Sequence, residues 1–309
     1  MTTTDASPRV GRRLGDLLFA GTARAAGITI LIALAGVATF LIVEGIPGIV
    51  TTQSSAFAGK ASFVSYTWPL VFGTVLAAVI ALLIATPLAV GAALVIGFYA
   101  PRRLATPLGY MIDLLAAVPS VVYGLWGATL LAPKMQPTYA WLADHLSFIP
   151  FFAGPASATG RTILTAGVVL AIMVLPIITA ICREIFAQTP ALHREAALAL
   201  GATRWEMIKM AVFPYARSGL VSGVMLGLGR ALGETMAVAM VLSASSAVTF
   251  NLIGSQNPST IAANIALSFG ERTGVERNTL IATGLVLFVI TFIVNFLARG
   301  IVARGRKGS

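Results

Sequence analysis

Long stretches without charge recur along this chain, and the shorter segments between them hold nearly all of its charged side chains. A helix needs about 20 consecutive apolar residues to cross a bilayer. We therefore predict six membrane-spanning helices, near residues 25–43, 69–97, 111–132, 162–182, 218–242 and 279–298. Pro87 interrupts the second stretch, and the part after it is short for a separate crossing. One long helix, kinked at this proline, is expected there.

Three connecting segments, 44–68, 133–160 and 243–278, are too long to be simple turns, and we expect them to be loops. The last of them contains an apolar run at residues 260–269, which is only ten residues long. A run of that length is too short to cross a bilayer as a helix. It predicts a short interfacial or re-entrant helix.

Composition agrees with a membrane protein. Hydrophobic residues make up 57% of the 309 residues and charged residues 10%, whereas soluble proteins contain about 25% charged residues. The single cysteine, Cys182, excludes an intrachain disulfide and a cysteine-based metal cluster. His145 and His193 lie far apart in the sequence, so no histidine metal site is expected.

The distribution of positive charge predicts the orientation of the chain. With six helices and a cytoplasmic N-terminus, fifteen of the 21 Lys and Arg residues lie in cytoplasmic segments, five lie outside, and Arg230 remains. Cytoplasmic segments of membrane proteins are enriched in these residues. We predict cytoplasmic tails at 1–24 and 301–309 around a transmembrane domain at 25–300. The net charge of +10 then faces anionic lipid, and no nucleic acid is expected as a partner.

Two charges interrupt the fifth predicted helix. Arg230 and Glu234 are four residues apart, a spacing that would place them on one helix face and let them partly neutralise each other. A charge near the bilayer centre costs roughly 2.5–3.5 kcal/mol, so such residues are candidates for function. Glycines at 219, 223, 227, 229 and 233 would let a neighbouring helix approach closely. The pattern indicates either a path for an anion or a structural ion pair.

The segment at 183–217 is predicted to be a cytoplasmic loop with two short amphipathic helices. Thr189 and Pro190 are typical of a helix start, and Gly201 of a helix end or sharp turn. Thr203 is a suitable cap for the second helix. Such helices either lie on the membrane surface or bind in the groove of a partner.

The residues of this loop resemble the EAA loop of ATP-binding-cassette (ABC) importer permeases. That family has Glu-Ala-Ala, three residues, Gly, nine residues and then Ile-x-Leu-Pro, and Val212-Phe213-Pro214 replaces the last element here. The resemblance implies a coupling loop at 183–217 that binds an ATPase subunit. The residues expected to couple are Glu195, Ala196, Ala197, Gly201, Ile208 and Pro214.

Two further stretches, 112–127 and 228–237, look like those of the phosphate-specific permeases, and more narrowly their C-type member. The resemblance implies an all-α integral membrane protein with six transmembrane helices, the type I ABC importer permease fold and cytoplasmic termini. It also implies a location in the plasma membrane of a prokaryote. In that family an Arg and a Glu are implicated in phosphate passage, which implies this role for Arg230 and Glu234.

We expect structural roles for the other polar and aromatic side chains of the third predicted helix. We expect Asp113 to cap that helix or to pair with Arg102 or Arg103. Tyr123 and Trp126 are interpreted as packing residues.

The chain has no Gly-x-x-x-x-Gly-Lys-Ser/Thr phosphate loop, so we expect no enzymatic activity and no cofactor of its own, with ATP bound by partners. The resemblance implies a second, homologous permease, two ATPase subunits and an extracytoplasmic phosphate-binding protein. A permease for another oxyanion or small solute of the same class remains an alternative. A secondary anion transporter is less favoured, because Glu234 is the only acidic residue deep in a predicted helix. A membrane enzyme lacks a recognisable set of catalytic residues.

Overall fold

Helices carry most of residues 14–306, the part of the chain that this computed structural model describes. The α-helices are α1 (Leu14–Val50), α2 (Phe63–Leu94), α3 (Arg102–Ala116), α4 (Ser120–Trp126), α5 (Ala132–His145), α6 (Ile163–Ala187), α7 (Ala191–Ala199), α8 (Arg204–Met207), α9 (Phe213–Gly233), α10 (Met236–Val241), α11 (Ile261–Ser268) and α12 (Gly274–Arg306). Three segments are π-helical. Val95–Tyr99 extends α2, Gly127–Leu131 joins α4 to α5, and Ile208–Val212 joins α8 to α9. A 3-10 turn at Ser54–Phe57 follows α1, and strands β1 (Ala244–Ser245) and β2 (Asn257–Pro258) pair in parallel.

Five helical runs among the described residues are long and apolar enough to cross a membrane. They are Leu17–Val50, Phe63–Tyr99, Ile163–Ala187, Arg204–Gly233 and Gly274–Gly300. A sixth crossing results if α3 and the α4–α5 run count as one span, and these two parts meet at an angle of 89°. The chain is therefore a multi-pass, all-α membrane protein.

The bend divides the helix predicted at 111–132 into two parts. The helix stops at Ala116 and restarts at Ser120, with Pro119 between them in an extended conformation. Proline has no amide hydrogen and disfavours the helical conformation in the residue before it, which explains the break. With 15 residues, α3 is about 22 Å long, too short to cross a hydrocarbon core of about 30 Å.

Other predicted boundaries also change. Residues 132–145 form α5, although 133–160 was expected to be a loop. Pro133 lies in the first turn of α5, where a helix tolerates proline. The Tyr139 hydroxyl of α5 lies 2.6 Å from the Thr165 hydroxyl of α6, which packs α5 into the bundle. Residues 14–24 of the predicted tail belong to α1, and residues 1–13 and 307–309 lie outside the described part.

Small residues bring the central helices close together. On α2, Ala77, Ala81, Ala85 and Ala89 are at most 1% exposed, and this helix packs along α6. The contact is tight at Gly167 of α6, where a methyl group would overlap the side chain of Ile80. Without a hydrophobic driving force between helices in lipid, association depends on such close van der Waals packing. The core of the molecule therefore lies around α6.

The glycines of α9 form a second close contact with α6. A methyl group at Gly219, Gly223 or Gly227 would meet Ile185, Ile181 or Ile178, respectively. This part of the predicted close approach is confirmed. Gly229 and Gly233 face open space, because a methyl group at either position would have no neighbouring atom within 4 Å. Within the described residues, no helix of this chain approaches these two glycines.

The segment between α10 and α12 folds back into the bundle. The buried Asn257 side chain donates to the Asn251 carbonyl at 2.7 Å and accepts the Ile163 amide at 3.0 Å. Thr260 caps α11, and the Thr74 hydroxyl accepts the Ile261 amide at 2.9 Å. The short helix predicted at 260–269 is confirmed as α11.

Candidate functional site

The helix that carries Arg230 ends before it reaches Glu234. Gly233 is the last residue of α9, and Glu234 has an extended backbone with φ −70° and ψ 126°. The predicted continuous helix at 218–242 is therefore wrong, and the two charges do not lie on one helix face. Among the described residues a salt bridge joins Arg183 to Asp113, and none joins Arg230 to Glu234.

Glu234 instead caps the next helix. Its side chain is 8% exposed, and its Oε1 atom accepts the amide of Ala237 in the first turn of α10 at 3.1 Å. The first amides of a helix have no partner within the helix, and a carboxylate satisfies one of them. This local bond explains why a new helix starts here and why Glu234 does not turn toward Arg230.

Arg230 lies in the last turn of α9. A cation is favoured there, because the unpaired carbonyls of a helix C-terminus carry partial negative charge. The side chain is partly buried, and its Nε atom is buried without a hydrogen-bond partner. An unpaired buried donor costs about 1–3 kcal/mol, and more if it is charged. The guanidinium is thus suited to bind an anionic group.

Tyr123 of α4 bridges a second helix break, the one between α3 and α4. The Tyr123 hydroxyl donates to the Leu115 carbonyl at 2.9 Å across the gap between α3 and α4. A methyl group at Gly124 would come within 2.8 Å of the Ala237 Cα atom, so α4 and α10 are in close contact. The break between α3 and α4 and the break between α9 and α10 therefore belong to helices that pack against each other. Irregular backbone at membrane depth is tolerated where it is buried in protein or lines an aqueous cavity.

Sequence reasoning missed the position of Tyr123. Its hydrogen bond to the Leu115 carbonyl depends on the break between α3 and α4, and no local sequence pattern signals it. Pro119 indicated only that the helix could bend.

The predicted coupling loop starts inside α6, which extends to Ala187, and continues with α7 and a sharp turn. Gly201 has a φ of +85°, in the left-handed region that favours glycine, and the Ala202 amide donates to the Ala197 carbonyl. This confirms the turn. The predicted cap at Thr189 is wrong, because Pro190 occupies the cap position and the buried Thr189 hydroxyl has no partner. At the second helix, Thr203 and Glu206 form a reciprocal capping box.

The second short helix is the start of a membrane helix. The α8 helix continues through Ile208–Val212 into α9 as one helical run from Arg204 to Gly233. The expectation of two separate amphipathic helices is therefore wrong for the second. Ile208 is fully buried within the chain, and Pro214 lies exposed in the first turn of α9.

The surface of α7 is open to a partner. Glu195 and Ala196 are exposed, while Ala197 is 9% exposed and faces the rest of the chain. Leu192 and Leu200 are 74% and 89% exposed. Exposed leucines at the two ends of a short helix, with a carboxylate between them, form a surface of mixed apolar and acidic character. The predicted coupling residues thus divide into an exposed set and a set that holds the loop in place.

Comparison with known proteins agrees with this architecture. Residues 85–307 match the family described as "Binding-protein-dependent transport system inner membrane component". The "Phosphate transport system permease protein PstC 2" of Mycobacterium bovis is 45% identical over 300 residues, which cover 94% of this chain and 92% of that protein. The "Phosphate transport system permease protein PstC" of Mesorhizobium japonicum is 40% identical over 307 residues, which cover 94% of this chain and 91% of that protein.

Solved structures provide an independent comparison of the fold. A chain of the inward-facing MetNI methionine ABC transporter superposes with a TM-score of 0.53 at 17% identity, over 77% of this chain and 94% of that chain. A chain of a bacterial ABC transporter involved in import of the acidic polysaccharide alginate superposes with a TM-score of 0.53 at 17% identity. The match covers 94% of this chain and 96% of that chain. These likenesses concern the fold. The family match and the relatives of 40–45% identity show that this chain belongs to the family of binding-protein-dependent transport system inner membrane components.

Proposed function

We propose that this chain is the membrane-spanning permease subunit of an ATP-driven importer of inorganic phosphate and forms half of the translocation path. The observation that carries the proposal is Arg230, whose buried Nε atom has no partner at a break between two helices. The relatives named above as phosphate transport system permeases support the choice of phosphate.

Arg230 is suited to the chemistry of a phosphate ion. Its planar guanidinium offers several donors in a fixed fork, which matches the oxygens of phosphate. Two unit charges 4 Å apart attract each other by about 4 kcal/mol at an effective dielectric constant of 20. A fixed positive charge beside the path therefore lowers the cost of bringing an anion away from water.

Glu234 has a different role in this proposal. An exchange in which Glu234 holds Arg230 between transport events needs an ion pair, and the carboxylate is bound to the Ala237 amide instead. We assign Glu234 to positioning: it fixes the start of α10 and so the shape of the break. Arg230 then remains available to the anion.

In this proposal, energy from ATP hydrolysis reaches Arg230 through the coupling loop at 183–217. The exposed surface of α7 with Glu195 and Ala196 would bind an ATPase subunit, and ATP would be bound there and not by this chain. Because α8 and α9 form one helical run, movement of the loop would shift Arg230 as part of a rigid body. The proposed assembly contains a second homologous permease, two ATPase copies and an extracytoplasmic phosphate-binding protein. Both termini of this chain would be cytoplasmic.

Uptake of labelled phosphate by proteoliposomes with the complete transporter tests the role of Arg230. We expect Arg230→Gln to abolish uptake while the ATPase still co-purifies with the permease. Arg24→Gln is the matched control, because it removes the same charge from an exposed residue of α1, outside the candidate site and the coupling loop. Uptake by Arg230→Gln at the wild-type rate refutes the proposal.

Competition by sulfate and molybdate in the same assay tests the substrate. Phosphate should be the only effective competitor. If another oxyanion competes as well as phosphate does, the chain belongs to a permease for a broader class of oxyanions.

A further inference from the structure

A cavity of about 530 Å³ lies between α3, the last turns of α6, the π-helical segment after α2, and α7. The Phe186 ring of its wall lies 6.2 Å from the ring of Phe213, the first residue of α9. Arg230 is 17 positions further along α9, which corresponds to about 25 Å of helix. The cavity is therefore separate from the site at Arg230.

Two guanidinium groups and one carboxylate line this cavity. The Arg183 Nη2 atom lies 3.2 Å from both carboxylate oxygens of Asp113. This pair corrects the expectation that Asp113 caps α3 or pairs with Arg102 or Arg103. The Arg183 guanidinium also lies against Gly109, where a methyl group would force it to move. Arg183 is thus held in place from two sides.

Arg194 supplies a positive charge that Asp113 does not neutralise. It lines the cavity, and its Nε atom is buried without a hydrogen-bond partner. The three ionised side chains leave one net positive charge. A buried charged donor without a partner is costly, so this cavity is prepared for an anion.

The position of α3 indicates where the cavity lies relative to lipid. One face of α3 exposes Leu104, Leu108, Met111 and Leu115, while the other face contributes Tyr110 and Asp113 to the cavity. A helix with one exposed apolar face and one polar face is typical of the membrane interface. The angle of 89° to the α4–α5 run lets α3 lie along the surface while that run crosses. This arrangement would place the cavity at the level of lipid headgroups.

We propose that this cavity binds a phosphate group through Arg194 and Arg183. Its volume lies within the range of small-molecule sites, and basic pockets between membrane helices bind anionic lipid headgroups. The source of the group is the headgroup of an anionic phospholipid or free inorganic phosphate. A phosphate there would connect α6, through Arg183, to the partner-binding helix α7, through Arg194. This proposal does not rest on the transport of phosphate at Arg230.

Binding to the purified full complex tests the proposal, in an Arg230→Gln background that silences the other site. The probes are phosphatidylglycerol in nanodiscs, with phosphatidylcholine nanodiscs as the reference, and inorganic phosphate in detergent. Native mass spectrometry counts retained lipid, and titration calorimetry measures phosphate. Arg194→Gln should weaken binding at least about ten-fold, as expected for the loss of one charged hydrogen bond. Arg217→Gln, which removes an equal charge outside the cavity, should leave binding unchanged.

Asp113→Asn provides a second variant with the opposite expected sign. It removes the competing carboxylate and frees Arg183, so binding should become several-fold tighter. Retention of phosphatidylglycerol alone identifies the lipid source, and binding of inorganic phosphate alone identifies the free ion. Binding of neither probe overturns the proposal, as does an equal loss in Arg194→Gln and Arg217→Gln, or weaker binding by Asp113→Asn.

Discussion

The contact between α9 and α6 makes a quantitative prediction about Gly227. A methyl group there would lie 2.7 Å from the Cδ1 atom and 2.8 Å from the Cγ1 atom of Ile178, which is 0% exposed. Ile178 cannot turn into solvent or lipid to make room. Overpacking of this kind costs about 1–3 kcal/mol. Because α9 carries Arg230 in its last turn, the same displacement would move the candidate site.

Gly229 is the matched control for Gly227→Ala. It lies on the same helix, and no atom is within 4 Å of a methyl group at that position. Both substitutions gain the helix propensity of alanine over glycine, about 0.8–1.0 kcal/mol, so this gain cancels in the comparison. We expect Gly227→Ala to be less stable than Gly229→Ala by about 1–3 kcal/mol.

Unfolding by sodium dodecyl sulfate in mixed micelles measures the two free energies of unfolding. Phosphate uptake by the same variants should fall for Gly227→Ala and stay near wild type for Gly229→Ala. Equal free energies of unfolding for the two variants would refute the inferred contact between α9 and α6.

Two further predictions concern single positions at the site and in the loop. Glu234→Ala removes the cap of α10 and should destabilise the chain by about 0.5–2 kcal/mol. Glu234→Gln keeps an acceptor for the Ala237 amide and should stay near wild type in thermal unfolding. Equal stability of the two variants would contradict the capping role. Gly201→Ala meets no neighbouring atom but must adopt a φ of +85°, which costs about 1–2 kcal/mol, so it should reduce both thermal stability and co-purification of the ATPase. Ala substituted at Gly229 serves as its control, and unchanged co-purification would count against a role of this turn in docking.

Much of the architecture could be predicted from local signals. Uncharged runs locate the crossing helices, the positive φ at Gly201 follows from a glycine after an apolar periodic segment, and the glycines of α9 at 219, 223 and 227 share one face. These features depend on a few adjacent residues or on one helix face. For this reason they can be predicted without knowledge of the neighbours.

The details of the site could not be predicted in this way. Residues 218–242 look like one apolar helix, and the break at Glu234 depends on a side chain that bonds the Ala237 amide instead of Arg230. The Arg183–Asp113 pair joins residues 70 positions apart, and Gly124 meets Ala237 only because α4 packs against α10. Each of these contacts depends on tertiary packing, which a local pattern does not contain.

The unbroken run from Arg204 to Gly233 has a mechanical consequence. Its 30 residues form a rod about 45 Å long, with the loop at one end and Arg230 near the other. A tilt of about five degrees around the middle of such a rod moves each end by about 2 Å in opposite directions. That displacement is enough to make or break a guanidinium hydrogen bond. A small displacement of the loop at one end would therefore make or break the contact between Arg230 and an anion at the other end of the rod.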